Sequence, residues 1–182
     1  MNNRSRKVEK MAKMGMLIAL SLVLISIPFL RFMIFPAVPF LQYDAGAIPM
    51  LIASFAFGPL AGLVVTVITA TLQTLMFSSS GGPYGWIMNV IATGTFVVTA
   101  GLIYSKAKEK TRKVAIIALL CGMMAQTLIM IPANYIVTPI FLTTEISAVT
   151  ALMPWIVAFN LTRTGINAMV TFFLYKQIRR FL

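Results

Sequence analysis

Residues 84–137, which read YGWIMNVIATGTFVVTAGLIYSKAKEKTRKVAIIALLCGMMAQTLIMIPANYIV, decide the fold class. Two apolar runs flank a short stretch that carries five Lys or Arg residues. Each run is long enough for a bilayer-spanning helix, which needs about 20 apolar residues. Basic loops between apolar runs are typical of the cytoplasmic edge of a membrane protein. The segment therefore predicts two membrane helices joined by a cytoplasmic loop.

The composition of the whole chain agrees with a membrane protein. Of the 182 residues, 59% are hydrophobic and 10% are charged, whereas a soluble domain carries about 25% charged residues. The sequence has no histidine and a single cysteine, which excludes an internal disulfide and a His- or Cys-cluster metal site. Four acidic residues leave little paired-carboxylate chemistry, and no G-x-x-x-x-G-K-[ST] phosphate loop is present. We therefore expect a binding protein without a metal or cofactor, not an enzyme.

Six apolar segments are candidates for transmembrane helices in one integral membrane domain, residues 1–182. Residues 45–57 are too few to cross a bilayer alone and must pack among the other helices. Residues 31–43 are apolar but contain Pro36 and Pro39, which disfavour a continuing helix. The predicted fold class is thus an all-α membrane protein with a long apolar connector between helices 1 and 2. Its approximate spans are residues 14–30, 45–57, 60–77, 84–104, 114–137 and 154–175.

The basic residues predict the orientation of these six spans. An even number of spans places both termini on one side, and with that side inside, thirteen of the fifteen Lys and Arg residues are cytoplasmic. The positive-inside rule therefore predicts cytoplasmic termini. The connector, the Ser/Gly-rich loop at 78–83 and a loop at 138–153 are then external. No basic groove or RNA-binding motif accompanies the charge, so nucleic acid is not an expected partner.

Large polar side chains lie at similar depth in the outer halves of three predicted spans: Asn89, Asn134, Asn160 and Arg163. Such groups are costly in a membrane and usually face the interior of the bundle. Asn160 and Arg163 share one helix face. Amides and a guanidinium suit the polar edge of a heterocycle or a polyol. A structural role remains open, in which the amides join helices and Arg163 pairs with Glu145 or Asp44.

Aromatic and small residues add two further predictions. Trp86 and Tyr43 adjoin Asn89 and the apolar connector, and such surfaces hold flat aromatic ligands, although an interfacial aromatic belt is the alternative. Gly15 and Ala19, four residues apart on the first span, allow a helix to approach closely. That contact is either internal to the bundle or made with another membrane subunit.

Several longer motifs resemble the substrate-binding (S) components of energy-coupling factor (ECF) vitamin transporters. Residues 43–52 (YDAGAIPMLI) and 57–62 (FGPLAG) resemble the second and third helices of that family. Residues 101–104 (GLIY) and 174–176 (LYK) are similar as well. Within the family, residues 133–139 (ANYIVTP) and 159–167 (FNLTRTGIN) favour the riboflavin-specific members.

The resemblance implies a multi-pass subunit of a prokaryotic cell membrane that captures riboflavin with high affinity from outside. Such a subunit has no ATPase of its own and docks on a membrane coupling subunit that works with two cytoplasmic ATPase subunits. By family analogy, the docking surface includes Gly15 and Ala19. The positions that match the family's flavin contacts are Asn134, Asn160 and Arg163, the last standing where we expect lysine. The full set of predicted substrate-binding residues is Asn134, Asn160, Arg163, Trp86, Tyr43, Leu41, Asn89 and Asp44.

Three alternatives follow from the same residues. Arginine pairs well with phosphate, so Arg163 leaves a flavin phosphate open as the ligand. The chain could also be an S component for another vitamin, such as pantothenate or biotin. A self-sufficient secondary transporter is the third alternative, and it would need an ion-coupled residue or a pore.

Overall fold

A computed structural model describes residues 3–77 and 81–178, with side chains over 4–77 and 81–174. The described residues form six α-helices. They are α1 (Asn3–Ser26), α2 (Ala47–Phe57), α3 (Pro59–Met76), α4 (Gly82–Lys106), α5 (Arg112–Leu142) and α6 (Ile146–Ile178). Residues 78–80 of the predicted Ser/Gly loop, and Arg179 and Arg180 of the terminal basic cluster, lie outside the described residues.

The predicted all-α architecture is confirmed over the described residues. Four of the described helices, α3 to α6, are long and apolar enough to cross a membrane by length and composition. Helix α2 is also apolar but has only eleven residues, so its length sets it apart from these four. The side of the membrane on which the termini lie stays a prediction.

The connector between α1 and α2 contains short regular elements. A 3-10 turn (Pro28–Leu30) follows α1, and two strands, β1 (Phe32–Met33) and β2 (Gln42–Tyr43), form an antiparallel hairpin. The rings of Phe32 and Tyr43, which are paired across this hairpin, lie 5.0 Å apart. The Phe35 ring lies 5.7 Å from the Trp155 ring on α6, so the connector packs on the bundle rather than extending away from it.

Helix α2 lies at the centre of the bundle. All nine residues from Ala47 to Phe55 are buried, and α2 packs against α1, α3, α4 and α6. A sharp turn at Gly58, whose φ is +96°, leads directly into Pro59 at the start of α3. At the same end, the Lys10 ammonium donates a hydrogen bond to the Phe57 carbonyl (3.3 Å), which satisfies a carbonyl at the helix terminus.

Small residues let α2, α3 and α4 approach at backbone distance. Ser54 Oγ on α2 donates to the Val97 carbonyl on α4 at 2.8 Å. A Cβ atom on Gly62 of α3 would meet Ser54 Cβ at 2.5 Å, and one on Gly101 of α4 would collide with Ser54 Oγ. These two glycines are thus required by a close approach of three helices.

The first helix differs from its predicted span of residues 14–30. It starts at Asn3 and ends at Ser26. Pro28 explains the end, because a proline has no amide hydrogen and restricts the residue before it to extended conformations. Ile27 accordingly has φ −76° and ψ 111°.

The predicted loop at 138–153 is wrong for most of its length. Helix α5 continues to Leu142 with Pro132 and Pro139 inside it, and α6 begins at Ile146 with Pro154 inside it rather than at its first turn. In apolar surroundings, a helix that stopped at each proline would leave more backbone groups without partners than the proline itself does. Thr143, with φ +48°, ends α5.

The close approach around Ser54 gives a stability prediction. Gly101→Ala should lower the free energy of unfolding by about 1–3 kcal/mol, the usual cost of overpacking a core. Gly165→Ala makes the same chemical change in α6, where an added Cβ meets nothing within 4 Å, and should leave stability unchanged or raise it. Thermal unfolding of both variants in one detergent checks the difference. Equal melting temperatures would show that the three helices are not packed this closely.

Candidate functional site

A cavity of about 300 Å³ lies between the connector and helices α3 to α6. One part of its wall is apolar or aromatic and includes Phe40, Leu41, Met88, Met130, Phe141 and Phe159. The other part is polar and includes Arg31, Gln42, Asp44, Gln73, Asn89, Asn134, Thr138, Asn160 and Arg163. Apolar walls with a few polar groups that fix orientation are characteristic of small-molecule sites.

The structure brings together six of the eight predicted substrate-binding residues. All six line the cavity: Leu41, Asp44, Asn89, Asn134, Asn160 and Arg163. They come from the connector, α4, α5 and α6. The prediction that polar residues at similar depth on different helices face one space therefore agrees with the geometry.

Trp86 and Tyr43, predicted as ring contacts, are not among the lining residues. The Trp86 indole donates to Thr71 Oγ1 on α3 at 3.1 Å. Tyr43 follows Gln42 on β2, and neighbouring residues of a strand point to opposite faces, so Tyr43 turns away from the cavity that Gln42 lines. Trp86 and Tyr43 are close in sequence to lining residues, but that closeness does not show in which direction their side chains point.

The Tyr43 side chain instead joins the connector to α6. Its hydroxyl donates to Asn167 Oδ1 at 3.0 Å, and the residue is buried. Burial raises the pKa of the Tyr43 phenol above its ordinary value, and the neighbouring Asp44 carboxylate raises it further, while Arg163 acts in the opposite direction. The phenol therefore remains protonated and able to donate this bond at neutral pH.

An ion pair holds the connector to α6 at the cavity wall. Arg163 Nη2 lies 3.3 Å from Asp44 Oδ2, and the two side chains are 11% and 13% exposed. Of the two carboxylates considered from the sequence, Asp44 is the partner, whereas Glu145 Oε2 accepts from Ser147 Oγ at 3.2 Å. The other Asp44 oxygen, Oδ1, accepts from the Gly46 amide at 3.1 Å. This carboxylate is thus fixed from two directions.

Asn89 extends this pair to two more helices. Its Oδ1 accepts from Arg163 Nη2 (3.4 Å) and from Thr93 Oγ1 (2.9 Å). Its Nδ2 donates to Gln73 Oε1 on α3 at 3.0 Å. A hydrogen-bonded chain therefore runs from the connector through α6 and α4 to α3.

The amides on α5 and α6 are oriented by their own helices. Asn134 Nδ2 donates to the Met130 carbonyl at 2.7 Å, and its Oδ1 accepts from Thr138 at 2.9 Å. Asn160 Nδ2 donates to the Ile156 carbonyl at 2.9 Å, and its Oδ1 accepts from Gln126 Nε2 on α5 at 3.3 Å. The last bond is the helix-joining role that the sequence left open. Both amides are buried, and these bonds hold them at the cavity wall.

Several lining residues were missed from the sequence. Gln73 carried a usable signal, because it is a large amide in an otherwise apolar span. Phe141 carried none, because it fell in the segment predicted as a loop. Its ring lies 6.5 Å from Phe40 and 6.1 Å from Tyr84, so the connector, α4 and α5 meet through aromatic contacts beside the cavity.

The lining of the cavity is suited to holding a flat molecule. Among residues 3–77 and 81–178, no group of three or more His, Cys, Asp or Glu side chains could hold a metal ion. Aromatic and thioether walls suit the faces of a flat ring. The amides and the guanidinium offer donors and acceptors for its edge.

Comparison with known proteins gives relatives for almost the whole chain. A family model described as "ECF transporter, substrate-specific component" matches residues 9–175. The chain is 34% identical over 134 residues to riboflavin transporter FmnP of Bacillus subtilis (strain 168), which covers 71% of this chain and 66% of that protein. It is 28% identical over 182 residues to riboflavin transporter RibU of Staphylococcus aureus (strain TCH60), which covers 96% of this chain and 92% of that protein.

A solved structure supports the same assignment. The structure described as "Structure and mechanism of the S component of a bacterial ECF transporter" superposes with a TM-score of 0.80 at 30% sequence identity, covering 96% of this chain and 98% of that chain. The resemblance seen in the sequence motifs is therefore confirmed over the full bundle. With the family model covering residues 9–175 and the fold in agreement, this chain belongs to the substrate-specific components of ECF transporters.

Proposed function

We propose that the chain is the riboflavin-binding subunit of an ECF importer and has no catalytic activity of its own. The observation that carries this proposal is the cavity, in which two helix-anchored amides and a guanidinium face apolar and aromatic walls. The relatives named as riboflavin transporters support the same ligand.

The chemistry of riboflavin fits these walls. Its ring system is large and flat with apolar faces, which Leu41 and the aromatic wall can cover. The pyrimidine edge of the ring alternates donors and acceptors, and the ribityl chain carries neutral hydroxyl groups. Asn134, Asn160 and Arg163 can each bond to that edge or to those hydroxyls, and Asn89 and Asp44 hold Arg163 in place.

The transport cycle that we propose follows from the family. Riboflavin enters the cavity from the external side of the bacterial cell membrane, and the connector covers it. The loaded bundle then docks on a membrane coupling subunit, and two cytoplasmic ATPase subunits supply the energy for release into the cell. Gly15 and Ala19 are exposed on α1, and an added Cβ at Gly15 meets nothing within 4 Å. This flat surface is available for a helix of the coupling subunit.

Replacing Asn160 tests the proposed site. Asn160→Ala should weaken riboflavin binding by about 1–3 kcal/mol, the cost of leaving a buried polar group of the ligand without its partner. Trp86→Phe, which removes the bond to Thr71 outside the cavity, should leave affinity unchanged. Quenching of flavin fluorescence during titration of the purified protein gives both dissociation constants. If Trp86→Phe weakens binding as much as Asn160→Ala, the flavin ring does not lie in the proposed position.

A pair of glycine variants tests the docking surface. Gly15→Leu should retain riboflavin binding but lose ATP-dependent uptake, because a bulky side chain separates the helices that must meet. Gly165→Leu places the same side chain at another glycine with open space beside its Cα and should retain uptake. Riboflavin uptake into vesicles that contain the coupling subunit and both ATPases distinguishes the two.

The same vesicles decide between the alternative functions. Uptake in the absence of any ATPase would identify a secondary transporter and contradict the subunit assignment. Folded protein that leaves flavin fluorescence unchanged but binds pantothenate or biotin would identify an S component for another vitamin.

A further inference from the structure

Three charged side chains line the described part of the cavity: Arg31, Asp44 and Arg163. Arg31 belongs to the connector, where its Nε donates to Gln42 Oε1 at 2.8 Å. Asp44 and Arg163 form the ion pair between the connector and α6. Asp44 is therefore the acidic side chain among the three.

Asp44 supplies negative charge to Arg163 from within the protein. Arg163 Nη2 has two acceptors here, the Asp44 carboxylate at 3.3 Å and the neutral Asn89 amide oxygen at 3.4 Å. Only the first of these carries a charge. An arginine that lined the cavity without such a partner would be an attractive site for a phosphate group.

We propose that Asp44 is a specificity-determining residue that makes the cavity select a neutral flavin over its phosphate ester. This inference rests on the proposed function. A neutral flavin leaves the Asp44–Arg163 pair intact. A phosphate ester carries about −1.5 to −2 charges at neutral pH. If that phosphate approaches Arg163, it must either sit near the Asp44 carboxylate or take Arg163 from it, which leaves the carboxylate unpaired in a mostly buried position.

Asp44 Oδ2 and Arg163 Nη2 lie 3.3 Å apart at the cavity wall, so a phosphate group that approaches Arg163 also approaches the Asp44 carboxylate. Surrounding apolar walls screen charge less than water does. Asp44 therefore opposes the binding of a phosphate at Arg163.

Asp44→Asn isolates the charge from the shape of the side chain. The asparagine keeps an Oδ1 that can accept from the Gly46 amide, as Asp44 Oδ1 does at 3.1 Å. The matched control is Glu145→Gln, which removes a negative charge between α5 and α6, outside the cavity lining. Asp44→Ser is a second charge-free variant that offers an acceptor oxygen, in case the asparagine variant does not fold.

The experiment measures dissociation constants of riboflavin and riboflavin 5′-phosphate by flavin fluorescence quenching. We expect Asp44→Asn and Asp44→Ser to shift the ratio of the two constants toward the phosphate ester by about tenfold or more, because the Arg163 guanidinium can then pair with the phosphate instead of with Asp44. Glu145→Gln should keep the wild-type ratio. Adding Arg163→Gln to Asp44→Asn should abolish the gain, and raising the salt concentration should reduce it.

Two results would overturn the inference while leaving the proposed function standing. One is an unchanged ratio in both Asp44 variants. The other is equal weakening of both ligands, which would show that Asp44 only holds the connector. If the wild-type protein binds neither flavin, the proposed function fails and the inference fails with it, so the two failures are distinguishable.

Discussion

A guanidinium inside an apolar helix bundle has to be paired, and the arrangement of this protein around its cavity depends on that requirement. Burying an unpaired charge is far more costly than burying a paired one. Arg163 meets the requirement through Asp44 on the connector and Asn89 on α4. Asn89 in turn binds Gln73 on α3. One cation on the last helix thereby fixes the positions of three other parts of the chain, and the cavity is the space that they enclose.

Much of the fold could be predicted from the hydropathy of the segments and from the residues that interrupt them. Six apolar segments correspond to six described helices, since the need to satisfy backbone groups in a membrane leaves few other structures. The failures occurred at prolines. Pro139 suggested a loop and Pro154 the first position of the sixth helix, yet both lie inside helices. At Pro139 and Pro154, the low helix propensity of proline is outweighed by the tertiary surroundings, which cannot be read from the sequence. Pro28 is a third case, because the predicted first span of residues 14–30 runs through it, whereas the helix ends at Ser26.

Site residues could be predicted where the residue type is unusual for a membrane span. They could not be predicted where the direction of the side chain decides whether it lines the cavity. Asparagines and an arginine in apolar spans have few reasons to be there, so Asn134, Asn160 and Arg163 could be found by type alone, and all three line the cavity. Aromatic residues are common in membrane proteins, so their type carries less information. Trp86 and Phe141 illustrate this, because the direction in which each ring points is set by packing against another helix. The sequence left two carboxylates, Asp44 and Glu145, as candidate partners of Arg163. Only the tertiary structure shows that Asp44 is the partner.

The shortness of α2, which has eleven residues, has a consequence for the backbone of the connector. Such a helix rises about 16 Å, whereas the hydrocarbon layer of a membrane is about 30 Å thick. If α2 lies within that layer, the connector beside it has to satisfy its own peptide groups, because a bare peptide group in hydrocarbon is expensive. Its 3-10 turn, its hairpin and the bonds from Val38 to Phe35 and from Leu41 to Val38 satisfy the backbone locally. Within these bonds, the connector does not depend on neighbouring helices for its backbone partners.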